Sequence, residues 1–217
     1  MSNLFSVNYI HKVYNVSATN NLQMKATKQT LGAIVSVFVA QLLSITFLSQ
    51  IGLDFYTLEY PLISSEPWNI VLNVYSHAGI GHLIGNGIAL LVLGLIVERV
   101  TTPVRFHVFF LTTGVLAGLS EVTFWVIFGS GATSVLGASG AIFALMGYAV
   151  LGNDLAETVI DSLDLGKKGT LLLFVGLAVL VTAMTASEGV ALIAHGSGFL
   201  MGAVAGYFKI LHVEQRY

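Results

Sequence analysis

Cysteine is absent from all 217 residues, which removes disulfides, thiolate nucleophiles, thiolate-ligated zinc and iron–sulfur ligation together. Any chemistry must rest on hydroxyl, imidazole, amide or carboxylate groups. Charge is nearly as scarce: Asp, Glu, Lys and Arg make up 9% of the chain against 55% apolar residues, and mean hydropathy is +0.84. That balance excludes an ordinary soluble domain and points to a polytopic membrane protein. The opening residues hold no short apolar core followed by a small-residue cleavage site, so the first apolar run is expected to be retained. Internal repeats, low-complexity tracts and a linker to a second domain are also missing. The expected organisation is one membrane domain over residues 28–217, preceded by a cytoplasmic extension over residues 1–27.

A bilayer core takes about 20 apolar residues per helix. Six runs meet or approach that length: Leu31–Ile51, Ser76–Val97, Arg105–Phe128, Ala138–Leu151, Thr170–Ala186 and Val190–Leu211. The expected fold class is an all-α membrane protein, a six-transmembrane-helix bundle. Its fourth span is short. Bounded by a glycine-rich stretch before Ser139 and by Asn153-Asp154 after, it reaches only about 22 Å at 1.5 Å per residue, so its outer end must be partly sunken. Irregular backbone at that depth is tolerated only where protein buries it or water reaches it. The loop from Gly129 to Gly137 is therefore expected to dip beside a water-filled cavity, with Ser139 opening the span inside it.

The few charges are sorted by side. All nine basic residues (Lys12, Lys25, Lys28, Arg99, Arg105, Lys167, Lys168, Lys209 and Arg216) fall before the first span, between the second and third, between the fourth and fifth, or at the end of the sixth and beyond. The opposite loops, residues 52–75, 129–137 and 187–189, carry Asp54, Glu59, Glu66 and Glu188 but no Lys or Arg. The positive-inside rule then puts both termini in the cytoplasm of a cell-membrane protein. Lipid is the expected surroundings, and no nucleic-acid partner is expected. The first outer loop mixes Tyr56, Tyr60 and Trp68 with apolar residues, a composition suited to the headgroup region. Asp154, Glu157, Asp161 and Asp164, with Lys167 and Lys168 behind them, read as a solvated inner loop.

Ser139 sits in GASGAIFALMGY, where Gly137, Ala138, Gly140 and Ala141 leave its hydroxyl reachable and the start of the span supplies free backbone amides and partial positive charge. Alone, such a serine is more often an N-cap or a packing residue than a nucleophile. His195, in the outer half of the sixth span, is the more telling residue, because an imidazole inside a bilayer faces a cavity or a partner. Gly198, Gly202 and Gly206 recur every four residues and oppose Gly140, Ala144 and Tyr148, so the two backbones can approach closely and bring His195 to Ser139. A histidine in reach of that hydroxyl takes its proton as the oxygen attacks a carbonyl, then returns it to the leaving amine. No acidic third member is evident, so the pair is a dyad.

On the second span, His82 and Asn86 are four residues apart and share a face. With the Ser139 amide they would supply donors to the negative oxygen of an acyl-transfer intermediate, where one lost donor costs about 3 kcal/mol. His77, about 140° around a helix from His82, is expected to make a structural contact at the span entrance. A zinc site would need a His-Glu-x-x-His helix or a supporting carboxylate, and neither occurs nearby, so no metal and no cofactor are expected. Glu98, Arg99, His107 and Glu121 read as interfacial anchors or loop clamps, while His11 and His212 lie outside the spans.

These motifs together resemble the rhomboid family: Gly137-x-Ser139-Gly140, His77 and His82 followed by Asn86, and His195-x-x-Gly198-x-x-x-Gly202, with Trp68, Gly94 and Glu98 in step. The resemblance runs through the second to sixth spans. It implies an intramembrane serine protease that cuts transmembrane segments of other proteins without a cofactor, with Ser139 and His195 as the catalytic dyad and His82 and Asn86 in the oxyanion site. It also implies an active site opening toward the outer face. Three positions depart from the pattern: Trp68-Asn69 replaces the usual Trp-Arg pair, the basic residue after the second span is shifted to Arg99, and Phe143 stands where some members have Tyr. None removes a reacting group. The alternatives are a catalytically silent relative that binds transmembrane segments, and a small transporter with a polar midplane site.

Overall fold

The computed structural model describes residues 25–48, 51–61, 65–129, 134–186 and 189–213. The extension before Lys25, with His11 and Lys12, and also Glu188 and Arg216, lie outside the described residues. The helices are α1 (Lys25–Phe47), α2 (Asn69–Leu72), α3 (Ile80–Glu98), α4 (Pro103–Phe128), α5 (Ser139–Leu151), α6 (Asp154–Leu163), α7 (Gly166–Met184) and α8 (Leu192–Tyr207). Of these, α1, α3, α4 and α7 are long and apolar enough to cross a membrane. The pair α5 and α6 passes the same test only jointly and is bent by 68°, and α8 is a shorter apolar helix. The chain is a mostly helical, multi-pass membrane protein.

The bundle is packed in the manner of a protein surrounded by lipid. Ile80, Ile84, Ile88, Val92 and Ile96 recur four apart along α3 and are all exposed, whereas Ala117, Ala141, Ala144 and Ala203 are fully buried between helices. Lipid tails are as apolar as leucine, so helix association there depends on close backbone packing of small residues. The closest pair is α5 with α8. A Cβ added at Gly198, Gly202 or Gly206 would fall against the carbonyl oxygens of Gly140, Ala144 and Tyr148 respectively. The glycine row therefore opposes the three residues expected from its spacing.

The helix starts depart from the sequence expectation, and a capping side chain fixes each one, distant for α1 and local for α4 and α6. The first span begins at Lys25, six residues before Leu31, because Glu98 at the end of α3 accepts from Ala26 N (2.6 Å), Thr27 N (3.0 Å) and Thr27 Oγ1 (2.7 Å). Those first-turn donors have no partner within their own helix. Pro103 and the Thr102 side chain, which accepts from Arg105 N at 3.3 Å, start α4 two residues before Arg105. The supposed inner loop after α5 folds as α6. Asn153 caps it through Ala156 N at 2.9 Å, Asp154 and Glu157 lie in the first turn where negative charge is favoured, and Ile160 is buried against Leu151 and Phe174.

An all-α description also needs one amendment. The loop after α1 and the loop before Ser139 pair as a short antiparallel ladder, β1 (Leu58–Glu59) with β2 (Ser134–Val135), in which Leu58 opposes Val135. Irregular backbone packed against a bundle needs partners for its amides and carbonyls, and the ladder supplies some of them. The loop after α1 is not wholly exposed either. Trp68 is exposed and packs on Phe55, but Tyr56 is buried with its hydroxyl 2.6 Å from Ser44 Oγ. Asn69, in place of the usual arginine, is buried and ties the loop down through Asp54 O (3.3 Å) and Glu66 Oε2 (3.0 Å).

Candidate active site

Ser139 is the first residue of a helix of only 13 residues, about 20 Å long. The residue before the cap, Gly137, has φ of +130°, a backbone conformation that disfavours side chains, and its N–H donates to Asn73 O at 2.8 Å. Asn73 in turn is fixed by its own amide on Asn69 O (2.6 Å) and Ile70 O (2.9 Å). A Cβ at Gly137 would meet His82 Cε1 at 2.6 Å and Nε2 at 3.0 Å. Glycine is thus required twice over, once for the turn and once for the imidazole that lies against it.

One cavity of about 680 Å³ opens at this end of the bundle. Ser139, His195 and His82 all line it, together with Glu121, Trp125 and Leu136. The polar walls come from the starts of α3, α5 and α8 and the end of α4, so every helix that borders the cavity presents a terminus to it. The seven described basic residues all belong to the other end of the bundle, at the start of α1, around Arg99 and Arg105, at the start of α7 and after α8.

His195 is buried, and its ring is stacked on Phe143 with centroids 4.1 Å apart and an interplanar angle of 13°. Phenylalanine therefore fills the stacking role without a hydroxyl. The Nδ1 atom lies 3.3 Å from Thr185 Oγ1 at the end of α7. The Thr185 hydroxyl gives its one proton to backbone carbonyls, Thr182 O at 3.0 Å or Val181 O at 3.2 Å. That leaves its lone pairs to accept Nδ1–H, which makes Nε2 the nitrogen able to take a proton.

Asn86 is placed differently from His82. It is buried, it does not line the cavity, and its Nδ2 donates to His82 O at 3.0 Å, one turn back along α3. His77 precedes α3, so the helical angle between it and His82 does not apply. Its ring packs edge-on against His82 with centroids 5.0 Å apart, while Gln41 of α1 holds its backbone, accepting from His77 N at 3.2 Å and donating to His77 O at 2.8 Å. Among the described residues no three histidine or acidic side chains group in a way that could hold a metal ion.

The rhomboid domain model matches residues 64–212. This chain belongs to the rhomboid family. It is 37% identical over 103 residues to mouse rhomboid-related protein 2, an alignment covering 45% of this chain and 32% of the relative. It is 27% identical over 152 residues to RHOMBOID-like protein 1 of Arabidopsis thaliana, covering 70% of this chain and 37% of the relative. The chain thus spans about a third of the length of the curated relatives it matches.

Two residues beside this cavity hold contacts that the sequence did not announce. Thr185 was hidden because a threonine near the end of an apolar span carries no special signal. Glu121 did carry one, since an ionisable residue within a span marks a functional position by default. Of the two structural roles read for it, anchor or clamp, it has the second: it is buried in the cavity wall, with Oε1 accepting from Trp125 Nε1 at 2.7 Å and Oε2 from Ala194 N at 2.8 Å. Glu98 is the clamp expected of it, and His107 joins α4 to α1 through Thr30 Oγ1 (3.2 Å) and Gln29 Oε1 (3.1 Å).

Proposed function

We propose that this rhomboid-family chain is an intramembrane serine endopeptidase that hydrolyses peptide bonds in or near transmembrane segments of membrane proteins. The observation that carries the reading is the meeting of Ser139, His195 and His82 in one cavity, with Thr185 on the far nitrogen of the His195 ring. Ser139 Oγ attacks the scissile carbonyl carbon while His195 Nε2 takes the hydroxyl proton. The oxygen of the tetrahedral intermediate is met by the Ser139 N–H at the start of α5 and by His82, with Asn86 the third donor once its amide swings from the helix backbone. Collapse breaks the C–N bond, His195 returns the proton to the departing amine, and an acyl-serine remains. Water then attacks that ester with His195 again as base, releasing the acid and restoring the serine. Every step uses groups of this chain and water, with no cofactor or metal ion.

The bundle crosses the membrane six times, with α5 and α8 as its two short spans and both termini cytoplasmic, so the cavity opens toward the outer face. The charge distribution supports this orientation. Substrate helices enter sideways past α7, whose Leu172, Val179 and Leu180 face outward to lipid. An intact helix hides its scissile carbonyls in hydrogen bonds, so the preferred substrate unwinds near the outer surface.

Treatment of the chain in liposomes with a fluorophosphonate, followed by mass mapping of the adduct, tests the nucleophile. The adduct is expected on Ser139 and is expected to be lost in Ser139→Ala and slowed by about a thousandfold in His195→Ala. Labelling at another residue, or equal labelling of the His195 variant, contradicts the dyad.

A further inference from the structure

The dyad leaves one buried carboxylate of its own cavity unused. α8 begins at Leu192 with Ala191 in the capping position, and an alanine offers no side-chain acceptor to the amides of the first turn. The Ala194 amide, a usual target of an N-cap side chain, is taken instead by Glu121 Oε2 from α4 at 2.8 Å. Trp125, one turn further along α4, donates to the other carboxylate oxygen at 2.7 Å and fixes its orientation. Negative charge at a helix N-terminus is favourable in itself. His195 directly follows Ala194, and its own N–H makes the first bond of the helix, to Ala191 O at 3.1 Å.

The same face of α4 also touches the nucleophile's helix. Ala117, four residues before Glu121 and so on the same side, lies where a Cβ added at Gly140 would fall, 2.6 Å from Ala117 Cβ. α4 therefore meets the residue after Ser139 through Ala117 and the residue before His195 through Glu121. We propose that Glu121 is a positioning residue of the catalytic centre, a capping carboxylate lent by α4 that holds the first turn of α8 so that the His195 imidazole stays in register with Ser139. The proposal rests on the protease reading above. It gives the dyad an acid that acts on its geometry through the backbone, with no contact to substrate.

The test compares wild type with Glu121→Ala, Glu121→Gln and Trp125→Phe in liposomes. It reads the rate of Ser139 acylation by a fluorophosphonate, kcat and KM on a model transmembrane substrate, and thermal unfolding. Misplacement of a catalytic group by about 1 Å costs on the order of a hundredfold, so Glu121→Ala is expected to slow acylation and kcat by about 30- to 100-fold with KM unchanged. Glutamine keeps one acceptor oxygen and turns its NH2 donor toward either the Ala194 N–H or the Trp125 indole N–H, and is expected to lose about tenfold. Trp125→Phe removes the donor that orients the carboxylate while leaving the Ala194 contact, and is expected to lose about threefold. Should the alanine variant fail to fold, the glutamine variant decides. Acylation and kcat of the folded glutamate variants within twofold of wild type, or a loss confined to thermal stability, overturns the positioning role. Absence of Ser139 labelling in folded wild type overturns the protease reading and the proposal with it, a result distinct from equal labelling of wild type and variants.

Discussion

Two glutamates do the same local job at opposite ends of the bundle. Glu98 caps the start of α1 from α3, and Glu121 caps the start of α8 from α4, each a buried carboxylate taking first-turn amides of a helix distant in sequence. What separates them is what lies next door. Beside the amides held by Glu98 stand Thr27 and the packed Gly94, whereas the amide held by Glu121 is followed by His195 in the wall of the cavity. A cap is a device of stability, and it becomes a device of catalysis only where the helix it fixes carries a reacting group in its first turn.

That contrast is sharpened most by Glu98→Ala. Removing the carboxylate leaves two amides and a hydroxyl buried without an acceptor, so stability is expected to fall by about 3 kcal/mol or more, visible as a lowered Tm. The fluorophosphonate labelling rate per folded molecule is expected to stay at the wild-type value. Gly202→Val strikes the contact that joins both ends, because its side chain falls on the Ala144 backbone. Overpacking of that kind costs about 3 kcal/mol, and here labelling of Ser139 is expected to fall along with Tm.

Thr185→Val acts at the cavity end alone. The valine keeps the shape and removes the acceptor for Nδ1–H, so kcat is expected to fall about tenfold with little change in Tm, while Thr185→Ser retains activity. The smallest effect belongs to the opposite end. His212 Nδ1 lies 2.7 Å from the Tyr148 hydroxyl, and burial first, then the Lys209 charge, push its pKa below the ordinary 6.5, against a weaker opposing pull from Asp154. The neutral ring is the form the fold prefers. Its stabilisation is full above about pH 6.5 and is lost as pH falls through the lowered value. Wild type is therefore expected to lose more Tm than His212→Gln between pH 7 and pH 5, and equal losses would remove His212 from this role.

The helical runs, the shortness of the helix that opens at Ser139 and the opposition of the glycine row to Gly140, Ala144 and Tyr148 were legible because lipid, helix length and small-residue packing each leave a mark on sequence. The gathering of Ser139, His195 and His82 in one cavity was legible for the same reason. Helix ends were not: α1 starts early because of Glu98, some 70 residues away, and no local pattern announces a cap supplied from another helix. The acidic cluster at residues 154–164 read as loop since its charges dominate the composition, yet Asn153 and the buried Ile160 make it a helix. The β1 and β2 ladder is two residues wide and lies below the length at which alternation can be seen. Thr185 became visible only when the end of α7 was placed against the His195 ring.

The most direct test is cleavage of a model transmembrane substrate by the purified chain in liposomes, with wild type, Ser139→Ala and His195→Ala matched for folded fraction. A cut within or beside the transmembrane segment is expected from wild type alone. Equal cleavage by either variant would contradict the assignment of the dyad.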